Sequence, residues 1–304
     1  MRLATTCFLV ALLLLLVAAW RLYLAPFVGW PVLLYPLALL VGGYGEYHRL
    51  REGGGIPVRG PARMLVQARV ELGCLLLIIV AGLIYRLWLL RFYAVTHGSL
   101  SDETRVATQA WWLSLHHQNW PLYVQTGGAV SFYQPLALAF SLFGASLTTM
   151  RVTSAMLGAL LLPAFYMLAR QFVAAPAALI TTALLSCAYW PAAMGVLVFG
   201  WLDGLIFQAV SLSLLLFGIR RGSLTATTTS GCVAALCFYS YISHRLLAIP
   251  ILLLVVLYYL NGKAPANPKR TLTAGFTIGF LSVLAPWIRI VRGDRDLLYG
   301  DTAN

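Results

Sequence analysis

Long apolar runs with few polar interruptions dominate the chain. Residues 7–19 read CFLVALLLLLVAA and residues 251–257 read ILLLVVL. Barrel strands would alternate apolar and polar residues with a period of two, and these runs do not. A membrane-crossing helix needs about 20 apolar residues. The pattern therefore predicts an all-α, polytopic transmembrane helical bundle with nine spans, near 3–20, 26–44, 70–90, 152–171, 174–194, 197–218, 226–242, 246–260 and 271–289.

The composition agrees with lipid as the solvent of most of this surface. Hydrophobic residues make up 61% of the 304 residues and charged residues 10%, and the mean hydropathy is +0.83. A soluble domain of this length needs much more charge on its surface. We therefore expect an integral membrane protein in contact with membrane lipids.

The distribution of arginine predicts how the chain is oriented. The net charge of +12 comes almost wholly from arginines that lie between apolar runs. The positive-inside rule explains such a pattern, so we expect no nucleic acid as a partner. The arginine-rich segment 45–69 is predicted to be cytoplasmic, as are 220–221 and 263–270. The stretch 91–134 contains only two arginines and no lysine, so it is predicted to form a long outer loop.

The same reasoning assigns segment 135–147 to the outer surface. If Arg170 and Arg220 both lie inside, the helix 152–171 runs from outside to inside. The segment 135–147 must then begin and end outside, and its 13 residues are too few to cross the bilayer. We predict a helix that lies in the outer interface.

An acidic pair marks the start of a helix in the outer loop. Ser101 can cap a helix that extends to Leu115, and Asp102 and Glu103 occupy its first turn, where carboxylates are favourable. A carboxylate there could act as a general base toward a hydroxyl. The alternative is that both are ordinary helix-start acids in a solvated loop.

The loop helix has one apolar face. Val106, Ala110 and Leu113 share that face, so the helix is expected to lie flat on the membrane.

Two further positions could carry chemistry. His244 and Arg245 follow Tyr241 in a predicted tight outer turn, and such a group can hold a phosphate. Interfacial anchoring by Tyr and Arg is the alternative. Asp203 lies near the outer start of the sixth predicted span, where an acid is a functional candidate. It could equally be a helix N-terminal acid.

Other polar residues suggest no further site. Glu71 and Arg86 lie near opposite ends of the third span and are expected to snorkel toward water. His116 and His117 are adjacent, so on a helix they would point apart. The motifs of nucleotide-driven or zinc-protease chemistry are missing from the sequence. We expect no metal ion and no cofactor.

A series of motifs gives the chain a resemblance to a known family. The motifs follow one another in the order Asp102-Glu103, Tyr133–Leu136 (YQPL), Leu142–Gly144 (LFG), Arg151–Ala155 (RVTSA), Tyr166–Phe172 (YMLARQF) and Tyr239–Arg245 (YSYISHR). Across residues 85–290 this order resembles the N-terminal membrane module of GT-C glycosyltransferases. The most similar branch is that of the protein O-mannosyltransferases and the lipid A aminoarabinose transferases, a glycosyltransferase family 39-like group.

The resemblance implies a reaction and a location. Such enzymes transfer a sugar from a polyprenyl-phosphate donor to a hydroxyl on a protein, lipid or glycan, usually with inversion. We accordingly expect a bacterial plasma-membrane enzyme with its active site facing outside. Segment 135–147 matches the family's outer juxtamembrane helix. We expect two units, an N-terminal two-span segment with its arginine-rich loop (1–69) and the catalytic module (70–304), truncated at its C-terminal end.

The resemblance also implies roles for individual residues. Asp102 would be the base that activates the acceptor, with Glu103 supporting it. The residues expected to bind the donor phosphate are Arg245, His244 and Tyr241. Secondary candidates are Asp203, Gln134 and Arg105.

Two interpretations from other functional classes remain open. A multi-span transporter or lipid flippase would need polar residues near the middle of the membrane at broken helices. The third interpretation is a non-catalytic membrane partner of another complex.

Overall fold

The computed structural model describes most of the chain from residue 61 onward. The described residues are 6, 7, 9–11, 13, 14, 17, 27–28, 61–96, 101–115, 120–121, 130–198, 202–240, 242–260 and 266–291. Within these residues the fold is all-helical apart from one pair of two-residue strands, as the hydrophobic pattern predicts. Most of the predicted N-terminal segment, residues 1–69, including its arginine-rich loop up to residue 60, lies outside them.

The helices follow one another with short connections. In chain order they are α1 Pro61–Thr96, α2 Ser101–Leu115, α3 Val130–Phe143, α4 Leu147–Ala159, α5 Leu161–Ala169, α6 Ala175–Cys187, α7 Tyr189–Val196, α8 Asp203–Arg221, α9 Leu224–Leu236, α10 Ala248–Leu260 and α11 Ala266–Val291. The 3-10 helices Cys237–Tyr239 and Ile242–Leu247 join α9 to α10.

Four stretches of the described chain are long and apolar enough to cross a membrane. They are Arg69–Phe92, Leu147–Ala169, Asp203–Arg221 and Lys269–Ile288. The bent pair α6 and α7 makes a fifth if it counts as one span, and the helices Leu224–Tyr239 and His244–Leu260 are shorter. The described residues thus contain four or five candidate spans, whereas the sequence predicted nine over the whole chain. These apolar helices are consistent with a membrane protein.

The surface of α1 has the character expected of a helix in contact with lipid. Only 17% of the most apolar window in Arg69–Phe92 is buried inside the protein. The large apolar side chains that it exposes are Val70, Leu72, Leu76, Leu77, Val80, Ile84, Leu87, Trp88 and Phe92. Water does not tolerate a continuous apolar surface of this kind on a monomer, whereas lipid does.

The second predicted span, 26–44, is wrong at its start. Phe27–Val28 forms a short strand that pairs antiparallel with Trp120–Pro121. Gly29 and Pro31 follow, and the residue before a proline disfavours helical backbone angles. The rest of that predicted span lies outside the described residues. The pairing joins two segments that the arginine pattern assigns to the same side of the membrane.

The span predicted at 174–194 is not one straight helix. α6 and α7 meet at Ala188 with a bend of 59°. Pro191 explains the break, because in a continuous helix it would lack the hydrogen bond to the Cys187 carbonyl and its ring would clash there.

The short helix predicted between the outer loop and the next span is present but begins earlier. α3 covers Val130–Phe143 instead of 135–147, so Pro135 lies inside it. It ends at Gly144, whose φ of 81° suits glycine. Ser146 then caps α4 by accepting a hydrogen bond from the Thr149 N–H at 3.0 Å. This cap starts the following span five residues before the predicted position 152.

Contacts between helix ends show how the bundle alternates in direction. Near the start of α1, Glu71 accepts hydrogen bonds from the Tyr166 hydroxyl and from Arg170 Nε, the latter at 2.9 Å. Arg220, at the end of α8, donates to the Gln171 carbonyl. We call this the Glu71 end of the bundle. The opposite end, where α2 follows α1, is called the loop end.

α1 carries the two charged residues that were predicted to snorkel, Glu71 and Arg86, and for Arg86 the prediction is wrong. Glu71 is bound by its two partners on α5 and beyond. Arg86 is fully buried, with 0% of its surface exposed, because α1 packs this side chain against neighbouring helices instead of lipid.

Glycines let α9 and α11 approach each other closely. A Cβ added to Gly231 would lie 2.1 Å from the Phe276 carbonyl oxygen, and one added to Gly279 would lie 2.1 Å from the Thr228 carbonyl oxygen. The two backbones therefore touch directly, as small residues allow in membrane helices.

Candidate functional site

The acidic pair predicted in the outer loop lies at the start of α2, and Glu103 is buried. Glu103 has 0% of its surface exposed. Its Oε2 lies 3.1 Å from Arg151 Nη2, and its Oε1 accepts a hydrogen bond from the Val198 N–H at 3.2 Å. One carboxylate thus holds the first turn of α2 against α4 and against the segment after α7.

Arg151 is equally enclosed. It lies one turn into α4 and only 2% of its side chain is exposed. A buried ion pair of this kind stabilises a fold only when further hydrogen bonds satisfy the charges, and removing one partner is costly. Glu103 therefore suits a positioning role for the turn that carries Asp102. The backbone of Asp102 belongs to α2 as predicted, while its side chain lies outside the described residues.

The apolar face of α2 is buried by protein and not by the membrane. Val106, Ala110 and Leu113 are 5%, 0% and 1% exposed. They pack in one cluster with residues of α3, including Tyr133 and Leu136. The predicted face is therefore right and its predicted contact with lipid is wrong, because the neighbouring helix α3 covers it first.

A second cluster lies at the start of α8. Asp203 Oδ2 accepts a hydrogen bond from the Ser131 hydroxyl on α3, and Oδ1 accepts one from the Gly204 N–H at 2.8 Å. His244 Nδ1 lies 3.3 Å from Asp203 Oδ1 and 2.6 Å from Ser240 Oγ. Asp203 and His244 are about nine-tenths buried, with side chains 11% and 9% exposed.

The position of His244 depends on a glycine. A Cβ added to Gly204 would lie 2.2 Å from His244 Cγ, so the imidazole rests on the backbone of α8. The carboxylate of Asp203 can only accept hydrogen bonds, and an N–H at His244 Nδ1 has two acceptors within reach, Asp203 Oδ1 and the nearer Ser240 Oγ. A histidine beside a carboxylate and a hydroxyl is a common arrangement for proton transfer.

A small cavity lies beside this second cluster. Its volume is about 170 Å³, and Ser131 and Asp203 line it together with Gly158, Gly195 and Leu202. Most of the remaining wall is apolar, formed by Phe132, Leu157, Leu160, Met194, Ile206 and Phe207.

The two clusters share one end of the bundle. Glu103 contacts Val198, two residues after the end of α7, and Asp203 begins α8 five residues later. Ser154 on α4 donates to the Leu197 carbonyl at 2.8 Å and also lines the cavity. The structure therefore brings the predicted candidates Glu103, Asp203 and His244 to the loop end.

The other predicted residues lie around these clusters. The guanidinium carbon of Arg245 is 5.1 Å from the centroid of the Trp287 ring, a cation–π distance. Arg105 is exposed on the outer face of α2, and Gln134 is half-buried in α3. Tyr241 lies outside the described residues.

Sequence reasoning missed the partners that hold these candidates. Arg151, Ser131 and Ser240 each contact a predicted residue, yet none was proposed for the site. For Arg151 a signal existed, since an arginine that begins an apolar helix needs an acidic partner. The serines carry no comparable signal, because hydroxyls are ordinary in membrane helices.

Comparisons of this chain with protein-family models, with curated proteins and with solved structures found no match. The function proposed next is therefore supported by the geometry of the loop end and by the order of the sequence motifs.

Proposed function

We propose that this protein is an inverting glycosyltransferase that moves a sugar from a polyprenyl-phosphate donor to a hydroxyl acceptor at the outer membrane face. The observation that carries the proposal is the burial of Glu103 against Arg151 and Val198. A chain exposes few charges to lipid, and burying a charged pair is expensive unless it is well hydrogen-bonded. Such a pair at the first turn of α2 fixes that turn relative to the bundle.

In this proposal Asp102 is the catalytic base. It accepts the proton of the acceptor hydroxyl as the oxygen attacks the anomeric carbon, and the bond from that carbon to the donor phosphate breaks. Attack opposite the leaving phosphate inverts the configuration. Catalysis of this kind is sensitive to small displacements of the base, so a rigidly held first turn is an advantage.

The leaving phosphate needs fixed positive charge. We assign this role to Arg245, with His244 and Tyr241 as hydrogen-bonding neighbours. Asp203 would then orient His244 through the contact at Nδ1, 3.3 Å from its Oδ1. Arg245 would keep its stacking on Trp287, which places its guanidinium 5.1 Å from the ring centroid.

One substitution tests the proposal directly. The 304-residue protein in lipid nanodiscs is supplied with radiolabelled polyprenyl-phosphate sugar and with peptide, lipid and glycan acceptors. Asp102→Asn removes the proton acceptor, so we expect transfer to fall at least about a hundredfold. The matched control is Thr108→Val on an exposed position of the same helix, which should transfer at the wild-type rate. Full activity in Asp102→Asn would disprove the mechanism.

A second candidate function has one observation in its favour. The bend of 59° between α6 and α7 and the buried Arg86 beside them are the kind of feature expected of a transporter or flippase. Flux of an anionic solute or lipid through proteoliposomes, with no sugar transfer to any of the three acceptor classes, would favour this candidate over the glycosyltransferase.

A further inference from the structure

The cavity beside Asp203 is not used in the proposed sugar transfer, and its size restricts what could occupy it. It is enclosed by α3, α4, α7 and the start of α8, and its volume is about 170 Å³. An apolar cavity of roughly 150 Å³ is large enough to hold benzene. The space at the loop end therefore admits one six-membered ring with a small substituent.

The described polar side chains of the cavity offer hydrogen-bond acceptors but no available donor. The Ser131 hydroxyl donates to Asp203 Oδ2, and the Ser154 hydroxyl donates to the Leu197 carbonyl at 2.8 Å. A hydroxyl has a single hydrogen to donate, and a carboxylate has none. These three are the described polar side chains that line the cavity. A ligand that satisfies this wall must therefore donate a hydrogen bond.

The carboxylate of Asp203 can accept one more hydrogen bond. Its oxygens accept from the Ser131 hydroxyl and from the Gly204 N–H, and Oδ1 lies 3.3 Å from His244 Nδ1. A carboxylate has about four lone-pair sites, so these contacts leave one of them unfilled. The side chain is 11% exposed and lines the cavity, so a ligand there can reach it. An O–H donor would make a short, charge-assisted hydrogen bond with it.

The charges around the cavity favour a neutral donor. Asp203 is the one ionisable side chain among the described residues that line the cavity, so an anion would meet a carboxylate there. A cation would be repelled by Arg86, whose Nε lies 3.1 Å from the position of a Cβ on Gly195, a residue of the cavity wall. A neutral O–H group therefore fits better than a carboxylate or an ammonium group.

The rest of the wall suits an aromatic ring. Phe132 and Phe207 contribute aromatic side chains, and Met194 contributes a thioether. Aromatic rings pack favourably against one another and against methionine sulfur. Water is a poorer occupant, because a buried water molecule needs about two to four polar partners and most of this wall is apolar.

The cavity also borders the surface of the bundle within the membrane. Leu160 lines it, is 51% exposed and belongs to the candidate span Leu147–Ala169. A phenol has an apolar ring and one polar group, so it dissolves in lipid as well as in water. The bilayer can therefore deliver such a ligand to this side of the bundle.

We propose that the cavity lined by Ser131 and Asp203 is a binding site for a small neutral phenol. The ring lies against Phe132, Phe207 and Met194, and the hydroxyl donates to the carboxylate of Asp203. This inference goes beyond the proposed function and does not rest on it. It assigns the phenol no part in sugar transfer, and binding is measured without a sugar donor.

Fluorine NMR with two ligands of the same shape tests the site. The 304-residue protein in lipid nanodiscs is titrated with 4-fluorophenol or with 4-fluorotoluene, in which a methyl group replaces the hydroxyl. Empty nanodiscs correct for the ligand that dissolves in lipid. We expect saturable binding of 4-fluorophenol and at least about tenfold weaker binding of 4-fluorotoluene, which lacks the hydrogen bond to the carboxylate.

Two results of this titration would contradict the proposal. Equal binding of the two ligands would overturn the role of Asp203 as the acceptor. The absence of saturable 4-fluorophenol binding would overturn the site, and it is the result expected if water or a lipid chain fills the cavity.

Charged analogues test the preference for a neutral ligand. In the same titration, 4-fluorobenzoate and protonated 4-fluorobenzylamine should each bind at least about tenfold more weakly than 4-fluorophenol, because a charge loses its hydration in this cavity. If either analogue bound as tightly as 4-fluorophenol, the ligand class would be wrong.

A substitution of the carboxylate tests its contribution to binding. Asp203→Asn keeps the shape of the side chain but removes the charge of the acceptor. We expect 4-fluorophenol to bind at least about tenfold more weakly, whereas the binding of 4-fluorotoluene changes by less than about twofold. Wild-type binding of 4-fluorophenol by this variant would contradict the proposal.

A second variant tests the cavity and leaves Asp203 in place. Ile206 on α8 lines the cavity, and Ile206→Phe would fill part of it, so the binding of both ligands should weaken at least about tenfold. The matched control is Leu205→Phe, at the neighbouring position, which is 39% exposed and does not line the cavity. This control should bind as wild type. Equal binding by the two variants would show that the phenol lies elsewhere.

Discussion

At the scale of single residues, buried charges decide what the loop end can do. The sequence predicts Asp102 and Glu103 as helix-start acids, because local spacing is enough to place a cap and a first turn. It does not predict that Glu103 binds Arg151, 48 positions away. That contact depends on how α2 packs against α4, and the local sequence contains no information about it.

The Glu103–Arg151 pair leads to a stability prediction. Glu103→Gln would leave the buried guanidinium of Arg151 without its carboxylate, so we expect the free energy of unfolding to fall by about 3 kcal/mol. Reversible unfolding in mixed micelles of dodecyl maltoside and dodecyl sulfate measures this change. In the double variant Glu103→Leu/Arg151→Met neither charge of this pair remains buried, and most of the loss should be recovered.

The control for this prediction is again Thr108→Val, which changes an exposed polar group on α2 and should alter stability by less than about 0.5 kcal/mol. A change of the same small size in Glu103→Gln would show that the buried pair does not hold the first turn of α2.

At the scale of helices, the hydrophobic pattern located the elements but not their ends or bends. The helix at Ser101–Leu115 lies where the sequence predicted it, since the apolar face of Val106, Ala110 and Leu113 and the acids before it give a clear helical pattern. The break at Ala188 was missed although Pro191 was visible, since a proline near a helix start and one that breaks a span look alike in a single sequence. α4 starts earlier than predicted because Ser146 caps it. Ser146 can do so because the chain turns at Gly144, where α3 ends.

The crossing of α9 and α11 leads to a packing prediction. Gly231→Ala would force a methyl group to within 2.1 Å of the Phe276 carbonyl oxygen, and a backbone cannot yield as a flexible side chain can. We expect a loss of at least about 2 kcal/mol in unfolding free energy, measured in the same mixed micelles. The control Gly73→Ala meets open space and should be neutral or slightly stabilising. Equal stabilities of the two variants would mean that the helices do not touch at Gly231.

At the scale of the whole molecule, the arginine pattern and the contacts agree on how the helices alternate. Arg170 and Arg220, which the sequence assigns to one side, both lie at the Glu71 end. Glu103, Asp203 and His244 lie together at the opposite end. Only the family resemblance predicted that these three residues would lie near one another. Hydrophobic periodicity relates residues within one helix, so it gives no information on contacts between residues so far apart in the sequence. The cavity and the burial of Arg86 could not be predicted, since both arise from packing.

The central claim is that the loop end transfers a sugar from a lipid phosphate by a single displacement. The most direct measurement is the anomeric configuration of the product, determined by NMR after transfer by the wild-type protein from a polyprenyl-phosphate sugar of known configuration. A base-assisted single displacement predicts a product of opposite configuration to the donor. A product of retained configuration, or no product with peptide, lipid or glycan acceptors, would contradict the proposed function.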